Sequence, residues 1–421
     1  MKKCLASLLL VSLLLTALTA CGKKAPGEIS LPQADQVQGK AADLDFENAY
    51  MEFAVSLLQK TAAEKQGENM LISPLSIQLA LAMTANGADG KTLQEMEHVL
   101  GQNIPLADLN MYLHSYLYNN ETGLVHGKER ELKLANSVWF RDQKDSLRVE
   151  EDFLQSVSDY YDADIYKRAF DSTTVKEINN WVDQNTDGMI SKILDKIDSN
   201  SMMYLINAIS FDAEWEDPYD EYAIRDGSFT THSGEQQTVP MMHSEESVYI
   251  ADNRAAGFVK PYKGGKFDFA VLVPYEGVSV YDYLYGLTAA SLSQTLSEAE
   301  ECKVFTQMPK FSYDFALTMN DVLKDMGMST AFDPDAADLS KLGSSDMGNL
   351  YIGNVLHKTF IRVDGMGTQA GAVTVVEIPA EGAMEPENYK EVIVDRPFVY
   401  MILDSETNLP IFIGCVTEIT E

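Results

Sequence analysis

Apolar side chains recur at helical spacing in two early segments of the chain. The first helix is predicted from four apolar positions that are three or four residues apart: Phe46, Tyr50, Phe53 and Leu57. A second helix is predicted to begin after Ser73, a good N-cap, with Pro74 in the first helical position, and to end at Gly87. Both helices would bury one apolar face.

Runs of β-branched and aromatic residues predict strands in the rest of the chain. The expected strands are 132–140, 203–211, 267–273, 398–403 and 411–419. The last two would form a hairpin, and an amphipathic helix is expected at 174–194. Helices and strands are mixed without regular βαβ alternation, which favours an α+β fold.

The segment 358–376 changes from a strand pattern to a run of small residues. Its alternate positions are all small or apolar, so one face of an extended chain could be buried in a sheet: Thr368, Ala370, Ala372, Thr374 and Val376. Glycines at 365, 367 and 371 interrupt the pattern and weaken a committed strand. The segment is therefore predicted to be a strand in one state and a loop in another; the alternative is a simple Gly/Ala linker.

Composition predicts a large globular protein that does not bind nucleic acid. The 421 residues are 45% hydrophobic, which is enough for a sizeable core, and no internal domain boundary is visible. The formal net charge is −32, spread along the chain. Such a surface cannot neutralise phosphates.

The N-terminus carries the pattern of a secretory signal. Two lysines precede an apolar run at 5–18, so residues 1–20 are predicted to be a signal peptide. The sequence LTAC at 18–21 resembles a bacterial lipobox, in which Cys21 would be acylated; the alternative is an ordinary signal with an accidental cysteine. Residues 21–42 would then be a flexible tether, and the protein would be secreted and held at the surface of a bacterial membrane by lipid alone.

No pattern of catalytic or metal-binding residues stands out. The sequence lacks GxSxG, HExxH and CxxC, and its six histidines are scattered, so we expect neither an enzyme nor a cofactor. Once Cys4 and Cys21 are accounted for, Cys302 and Cys415 remain, and two distant thiols predict neither a disulfide framework nor a metal site.

The segments described above resemble the serpin family in both sequence and order. The serpin-like blocks are Asn69 with SPLSIQLALAMTANGA at 73–88, LANSVWFR at 134–141, INNWVDQNTDGMISKIL at 178–194, LINAISFDAEW at 205–215, MPKFS at 308–312, LHKTFIRVDGMGTQAGAVTVVEI at 356–378 and DRPFVYMILDSETNLPIFIG at 395–414. The resemblance covers 43–421. It implies one domain of three β-sheets and about nine helices, with an exposed reactive-centre loop at about 367–391.

The resemblance implies that the protein inhibits serine proteases as a suicide substrate. A target would cleave the loop and be held as an acyl-enzyme while the freed hinge inserts into the central sheet. The partner would be a serine protease in a covalent complex, with cysteine proteases as a second class, and the inhibitor would be a monomer. The alternative is a non-inhibitory serpin acting as a cell-surface binding protein.

The hinge decides between these two alternatives. The positions that match the family's hinge are Gly367, Thr368, Gln369, Ala370, Gly371, Ala372, Val373 and Thr374. Gln369, Gly371 and Val373 depart from the usual pattern, but they fall on the less buried face. No charge, proline or bulky group lies on the buried face, so the hinge is expected to insert and the chain to inhibit.

Two family anchors place the cleaved bond differently. Counting forward from Gly367 by the usual spacing reaches Glu381 and Gly382, whereas counting back from Pro397 reaches Pro386. We expect cleavage between Glu381 and Gly382. The rival positions are Ala380, Ala383 and Met384.

Residues around the expected bond indicate the class of target. Small residues suit an elastase-like or subtilisin-like pocket, and Glu381 suits a Glu-accepting protease. No basic residue lies between Arg362 and Lys390, which disfavours trypsin-like targets.

The resemblance also implies residues that govern opening of the central sheet. The family's shutter, a polar group beneath the sheet, corresponds to Ser73, Ser76, Asn207 and His357. Trp215 matches the tryptophan of the breach, where insertion begins. Without the family, His357 and Trp215 would be ordinary core residues. Gly365 stands where the family often has an acid, so an ion pair that commonly anchors this end is expected to be absent.

Overall fold

A computed structural model describes residues 28–29, 31, 37–118, 131–142, 147–368 and 389–420. The α-helices of this part of the chain are α1 (Leu44–Glu64), α2 (Pro74–Ala85), α3 (Gly90–Gly101), α4 (Leu106–Tyr118), α5 (Glu151–Tyr161), α6 (Ser172–Asn185), α7 (Val280–Gly286), α8 (Ala289–Ser297) and α9 (Asn320–Asp325). The predicted start of α2 is confirmed, because the Ser73 side chain accepts a hydrogen bond from the Ser76 amide. The prediction of a helix to residue 194 is wrong: α6 ends at Asn185, and the chain turns through left-handed backbone at Asp187 and Gly188.

Strands make up most of the remainder. They are β1 (Glu28–Ile29), β2 (Met70–Ile72), β3 (Leu132–Arg141), β4 (Leu147–Val149), β5 (Asp164–Arg168), β6 (Met203–Phe211), β7 (Ala213–Glu214), β8 (Ile224–Thr230), β9 (Gln236–Ala251), β10 (Ala255–Pro261), β11 (Phe267–Pro274), β12 (Glu300–Pro309), β13 (Phe311–Thr318), β14 (Gly343–Ser345), β15 (Leu356–Val363), β16 (Gly367–Thr368), β17 (Tyr389–Ile393), β18 (Phe398–Asp404) and β19 (Pro410–Val416). The strands predicted from pattern correspond to β3, β6, β11, β18 and β19. The α+β class is confirmed.

The strands form one long sheet, a second sheet in two halves and a two-stranded sheet of β4 and β14. The long sheet has the order β17-β12-β9-β10-β11-β18-β19-β2, with β8 beside β9. The halves have the orders β1-β5-β3-β6 and β13-β15-β16-β7. Because β7 follows β6 after Asp212 alone, the two halves belong to one central surface that is parted between β6 and β15.

Buried side chains fill the space on both faces of the central surface. The inner face packs against α2 and the long sheet, as Leu79, Ile209 and Ile413 illustrate. The outer face of β3 and β6 is covered by α6, through a second cluster that contains Trp139 and Trp181. The parted region therefore lies between two well-packed layers.

Strand β1 lies within the segment predicted to be a flexible tether. Glu28 pairs with Tyr166 and Ile29 with Ile165 in antiparallel register on β5. The prediction for 21–42 therefore needs a correction at these two residues, because the free edge of β5 offers backbone hydrogen bonds that a tether in solvent would lack.

Candidate functional site

The central surface contains a cleft between β6 and β15, which we call the insertion cleft. Strand β6 pairs with β3 on one edge. Strand β15 pairs with β13 on one edge and, at Val363 alone, with β16 on the other, and within the described residues no backbone ladder joins β6 to β15. The cleft holds a cavity of about 370 Å³. Its lining includes Ser76, Leu81, Ile193, Leu205, Asn207 and His357. Two facing unpaired edges around an empty space form a place for one more strand.

Strand β16 already fills the upper end of the insertion cleft. Thr368 pairs with Val363 of β15 on one side and with Ala213 of β7 on the other. A second, much smaller cavity lies directly below, and it is bordered by Thr368, Phe211 and Ile361. The first two residues of the predicted hinge thus lie within the sheet, and space continues beneath them.

The two residues of β16 suit this position for different reasons. Gly367 approaches its neighbour so closely that a Cβ atom would lie 2.1 Å from the carbonyl oxygen of Ala213, so only glycine fits. Thr368 is 3% exposed, and its Oγ1 lies 2.5 Å from the hydroxyl of Tyr262. The hydroxyl is therefore satisfied in the interior, where a charged side chain would have no partner.

Two aromatic residues hold the turn that precedes β16. Trp215 donates from Nε1 to the carbonyl of Asp364 and from its amide to that of Met366, both at 2.9 Å. The amide of Tyr219 donates to the carbonyl of Gly365 at 2.8 Å. We call Trp215 and Tyr219 the hinge clamp. The structure thus places Trp215 beside the turn that precedes the predicted hinge.

Gly365 leaves no side chain to anchor this turn. A Cβ there would come within 3.0 Å of Ile224 Cδ1, so a larger residue would have to displace that side chain. Among the described residues, the ion pair nearest in sequence joins Arg362 Nε to Asp364 Oδ2 at 3.8 Å. Backbone hydrogen bonds to the hinge clamp, rather than an ion pair at residue 365, therefore fix the turn.

Three of the four predicted shutter residues form one hydrogen-bonded group. The Ser73 amide donates to Nε2 of His357 at 3.1 Å. The Ser73 hydroxyl donates to the carbonyl of Ile411 at 2.8 Å and accepts from the Ser76 amide at 3.2 Å. Because Nε2 of His357 accepts a hydrogen bond, the ring is neutral and carries its proton on Nδ1.

Asn207 belongs to the opposite side of the cleft. Its Nδ2 donates to Oδ1 of Asn136 at 2.8 Å, and the Asn136 amide in turn donates to the carbonyl of Tyr161. The Oδ1 atom of Asn207 is buried and has no hydrogen-bond partner in the part of the chain that the structure describes. An unpaired buried acceptor is costly, so this atom favours any change that brings a donor to it.

Acidification is expected to destabilise the native protein through His357. Burial lowers the pKa of His357 to about 4, from its ordinary value of 6.5. In the unfolded chain the imidazole of His357 is protonated as the pH falls through 6.5, whereas in the native protein it stays neutral until about pH 4. The free energy of unfolding is therefore highest above pH 6.5 and decreases as the pH falls from 6.5 to about 4. Between pH 7 and 5 the loss should be about 2 kcal/mol. Urea unfolding of the wild type and of His357→Gln, measured across this pH range, will check this. If the urea midpoint falls equally with pH in both proteins, the prediction is contradicted.

Several predicted site residues lie outside the described residues. They are Gln369, Ala370, Gly371, Ala372, Val373 and Thr374 of the hinge, the cleavage candidates Ala380, Glu381, Gly382, Ala383 and Met384, and the lipidation candidate Cys21. Conversely, sequence reasoning missed Tyr262 and Asn136. Their contacts depend on which residues of distant strands lie opposite each other, and no local sequence pattern indicates this.

Other chemistry is sparse in the described part of the chain. Cys302 and Cys415 are free thiols, and burial raises the pKa of Cys415 well above its ordinary range. Within the described ranges, no cluster of three or more His, Cys, Asp or Glu side chains could hold a metal ion. The helices of these ranges include none that is both long and apolar enough for a membrane span.

Comparison with known proteins settles the family. The sequence profile described as "Serpin (serine protease inhibitor)" matches residues 48–419. The chain belongs to the serpin family. Its fold is the serpin fold, and the predicted family and fold are confirmed.

Individual relatives refine this assignment. The serpin is 31% identical to an uncharacterised serpin-like protein of Thermococcus kodakarensis, over 87% of this chain and 84% of that one. It is 46% identical to the thermophilic serpin tengpin in its native state, with a TM-score of 0.86 over 93% of this chain and 100% of that one. For tengpin in its latent state the TM-score falls to 0.79, over 91% and 100% of the two chains. The conformation described here is thus more similar to the native form.

The serpin fold is also shared with a thyroxine-binding protein. Human thyroxine-binding globulin, solved with thyroxine bound, is 26% identical and has a TM-score of 0.77, over 90% of this chain and 100% of that one. Family membership alone therefore shows the fold and a class of proteins that are typically protease inhibitors.

Proposed function

We propose that this serpin traps a serine protease by inserting its cleaved loop into the insertion cleft. The observation that supports this most directly is β16, whose two residues already pair with β15 and β7 above an unfilled cavity. The residues that follow Thr368 could extend β16 into this cavity. The protease would remain attached as an acyl-enzyme and be carried along with the loop.

The register of β16 predicts where the following residues would lie. Val363 pairs with Thr368, and Thr368 with Ala213, both antiparallel, so each step along the hinge moves one step back along β15 and β6. The neighbours so obtained are Ile361 and Phe211 for Ala370, Thr359 and Ile209 for Ala372, and His357 and Asn207 for Thr374. The small residues predicted to be buried would thus face the inner core.

Thr374 would complete the shutter in this register. It would lie between Asn207, whose Oδ1 lacks a donor, and His357, whose Nδ1 carries a proton. A threonine hydroxyl can donate to the first and accept from the second. Insertion would thus remove the unpaired acceptor described above and join the two sides of the cleft.

The energy available is of the right order for distorting a protease. About ten further backbone hydrogen bonds at ~0.5–1.5 kcal/mol each would contribute on the order of 10 kcal/mol. Native proteases, like other domains, are stable by only about 5–15 kcal/mol. Completion of the strand can therefore offset much of the stability of a protease active site.

We propose cleavage between Glu381 and Gly382, with Ala380, Ala383 and Met384 as rivals. Small side chains here suit elastase-like or subtilisin-like pockets, and Glu381 suits a Glu-accepting protease. Cysteine proteases, which also form acyl-enzymes, are a second class of partner. The inhibitor would act as a monomer.

We further propose an extracellular location at a bacterial membrane. Residues 1–20 have the form of a signal peptide, and Cys21 follows a lipobox-like sequence. The support is the sequence pattern alone.

A non-inhibitory binding protein is the second candidate, because thyroxine-binding globulin shares the fold. Incubation with subtilisin, elastase and a Glu-specific protease separates the two. Trapping predicts a complex that survives boiling in denaturant and a released C-terminal peptide whose mass gives the cleaved bond. Cleavage within the loop by each enzyme, with no complex from any of them, would falsify trapping of these three classes in favour of the binding protein.

A further inference from the structure

A buried ion pair lies next to the hinge clamp. Lys260 of β10 donates from Nζ to Oε1 of Glu246 on β9 at 2.7 Å, and the two side chains are only 2% and 6% exposed. The other end of the network is also satisfied, since the Ser244 hydroxyl donates to the same Glu246 oxygen and lies 2.8 Å from Thr306 Oγ1. A pair this deep costs desolvation and adds little net stability over apolar residues of the same size. Its presence here therefore points to a role in fixing the positions of neighbouring side chains.

The ammonium group of Lys260 touches both members of the hinge clamp. Its Nζ lies 4.5 Å from the centre of the Tyr219 ring and 5.7 Å from that of the Trp215 ring. A desolvated cation is attracted to aromatic faces, and the attraction depends on where the rings lie. Glu246 fixes the cation, and the cation in turn fixes the two rings.

The hinge clamp connects Lys260 to the hinge, because its two residues contact the turn that precedes β16. The Tyr219 amide holds the carbonyl of Gly365, and Trp215 holds those of Asp364 and Met366. Trp215 also stacks on Tyr262, at 4.6 Å between ring centres, and Tyr262 contacts Thr368. The turn and the first buried hinge residue are thus connected to one buried charge pair through the residues Tyr219, Trp215 and Tyr262.

We propose that Lys260 and Glu246 are positioning residues that hold the hinge clamp and arrest insertion at Thr368 until the loop is cut. The proposal builds on the proposed function, because it assigns control of the inserting strand to a site beside it. Without the pair, the clamp rings gain freedom and the turn at 364–367 yields more easily. The uncleaved loop then enters the cleft spontaneously.

The test replaces both charges together, so that neither is left alone: Lys260→Met with Glu246→Gln. The uncleaved protein is incubated at elevated temperature, and conversion to the inserted form is followed by loss of loop cleavage by subtilisin and by the appearance of a higher-melting species. Conversion is expected to be about tenfold faster than in the wild type. Lys260→Arg keeps a cation at this place and is expected to convert at close to the wild-type rate.

The chain offers a matched control on the neighbouring strands. Lys303 and Glu245 form an ion pair with the same 2.7 Å separation, but their side chains are 36% and 49% exposed. Lys303→Met with Glu245→Gln should therefore leave conversion unchanged. An equal acceleration in this control would show a general charge effect and overturn the proposal.

Conversion at the wild-type rate in a folded Lys260→Met, Glu246→Gln variant would also overturn it. If that variant does not fold, Ser244→Ala removes only the second donor to Glu246 and should accelerate conversion by about threefold; an unchanged rate then counts against the proposal. These readouts need no trapped protease. Failure of trapping with normal control of conversion would reject the proposed function alone.

Discussion

Cleavage of the reactive loop is expected to raise the unfolding temperature of this serpin by roughly 10–20 °C. The reason is the insertion cleft, where the edges of β6 and β15 below β16 remain unpaired around a cavity of about 370 Å³. A cut loop is free to continue β16 down the cleft, adding on the order of 10 kcal/mol of backbone hydrogen bonding. Differential scanning calorimetry of intact and cleaved protein measures the shift.

The calorimetric experiment has an internal control. Trimming of the chain before Glu28 by the same protease can be recognised by mass. Because such a cut removes none of the described contacts, a sample cut only there should melt like the intact protein. If the loop-cleaved form melts no higher than the intact one, the cleft does not accept the loop, and the proposed mechanism fails.

On the proposed mechanism, Thr368→Arg is expected to turn this serpin from an inhibitor into a substrate. Thr368 is 3% exposed, between Val363 and Ala213, with its hydroxyl against Tyr262. A guanidinium group has no partner there, and an unpaired buried charge costs several kcal/mol. Insertion should slow enough for the acyl-enzyme to hydrolyse first. The number of inhibitor molecules consumed per protease trapped should rise more than about tenfold.

The matched control for this variant is Thr318→Arg. Thr318 ends β13 and is exposed, so the same substitution there adds the same charge without burying it. Its consumption per trapped protease should equal that of the wild type. Unchanged trapping by Thr368→Arg itself would mean that a charge at residue 368 does not impede insertion, and the assignment of the hinge would be wrong.

Local chemistry made part of this molecule predictable. The N-cap of α2 rests on Ser73 and Pro74, whose side chains act within one turn, and the sequence predicted the start of that helix correctly. Strand β6 was predicted with its observed bounds, because its run of mostly apolar and aromatic residues ends at Asp212. The burial of Thr368 also followed from alternation along the hinge.

Contacts across the fold were not predictable in the same way. The end of α6 depends on left-handed backbone at Asp187, which a non-glycine residue gives no reason to expect. The position of Tyr262 over Thr368 depends on strand register, and the charge at Lys260 reads as a solvent-facing residue until β10 is seen to be covered. Pairing between distant segments decides each of these features.

The parted edges of β6 and β15 also set a limit on how this serpin can be handled. An unpaired edge accepts any extended chain of suitable shape, including the loop of a neighbouring molecule. The rate at which a molecule inserts its own loop does not depend on protein concentration. The rate at which it captures the loop of a neighbouring molecule rises with concentration. Concentrated, warm solutions of this serpin should therefore lose monomer to polymers linked by their loops, and dilution should preserve the monomer.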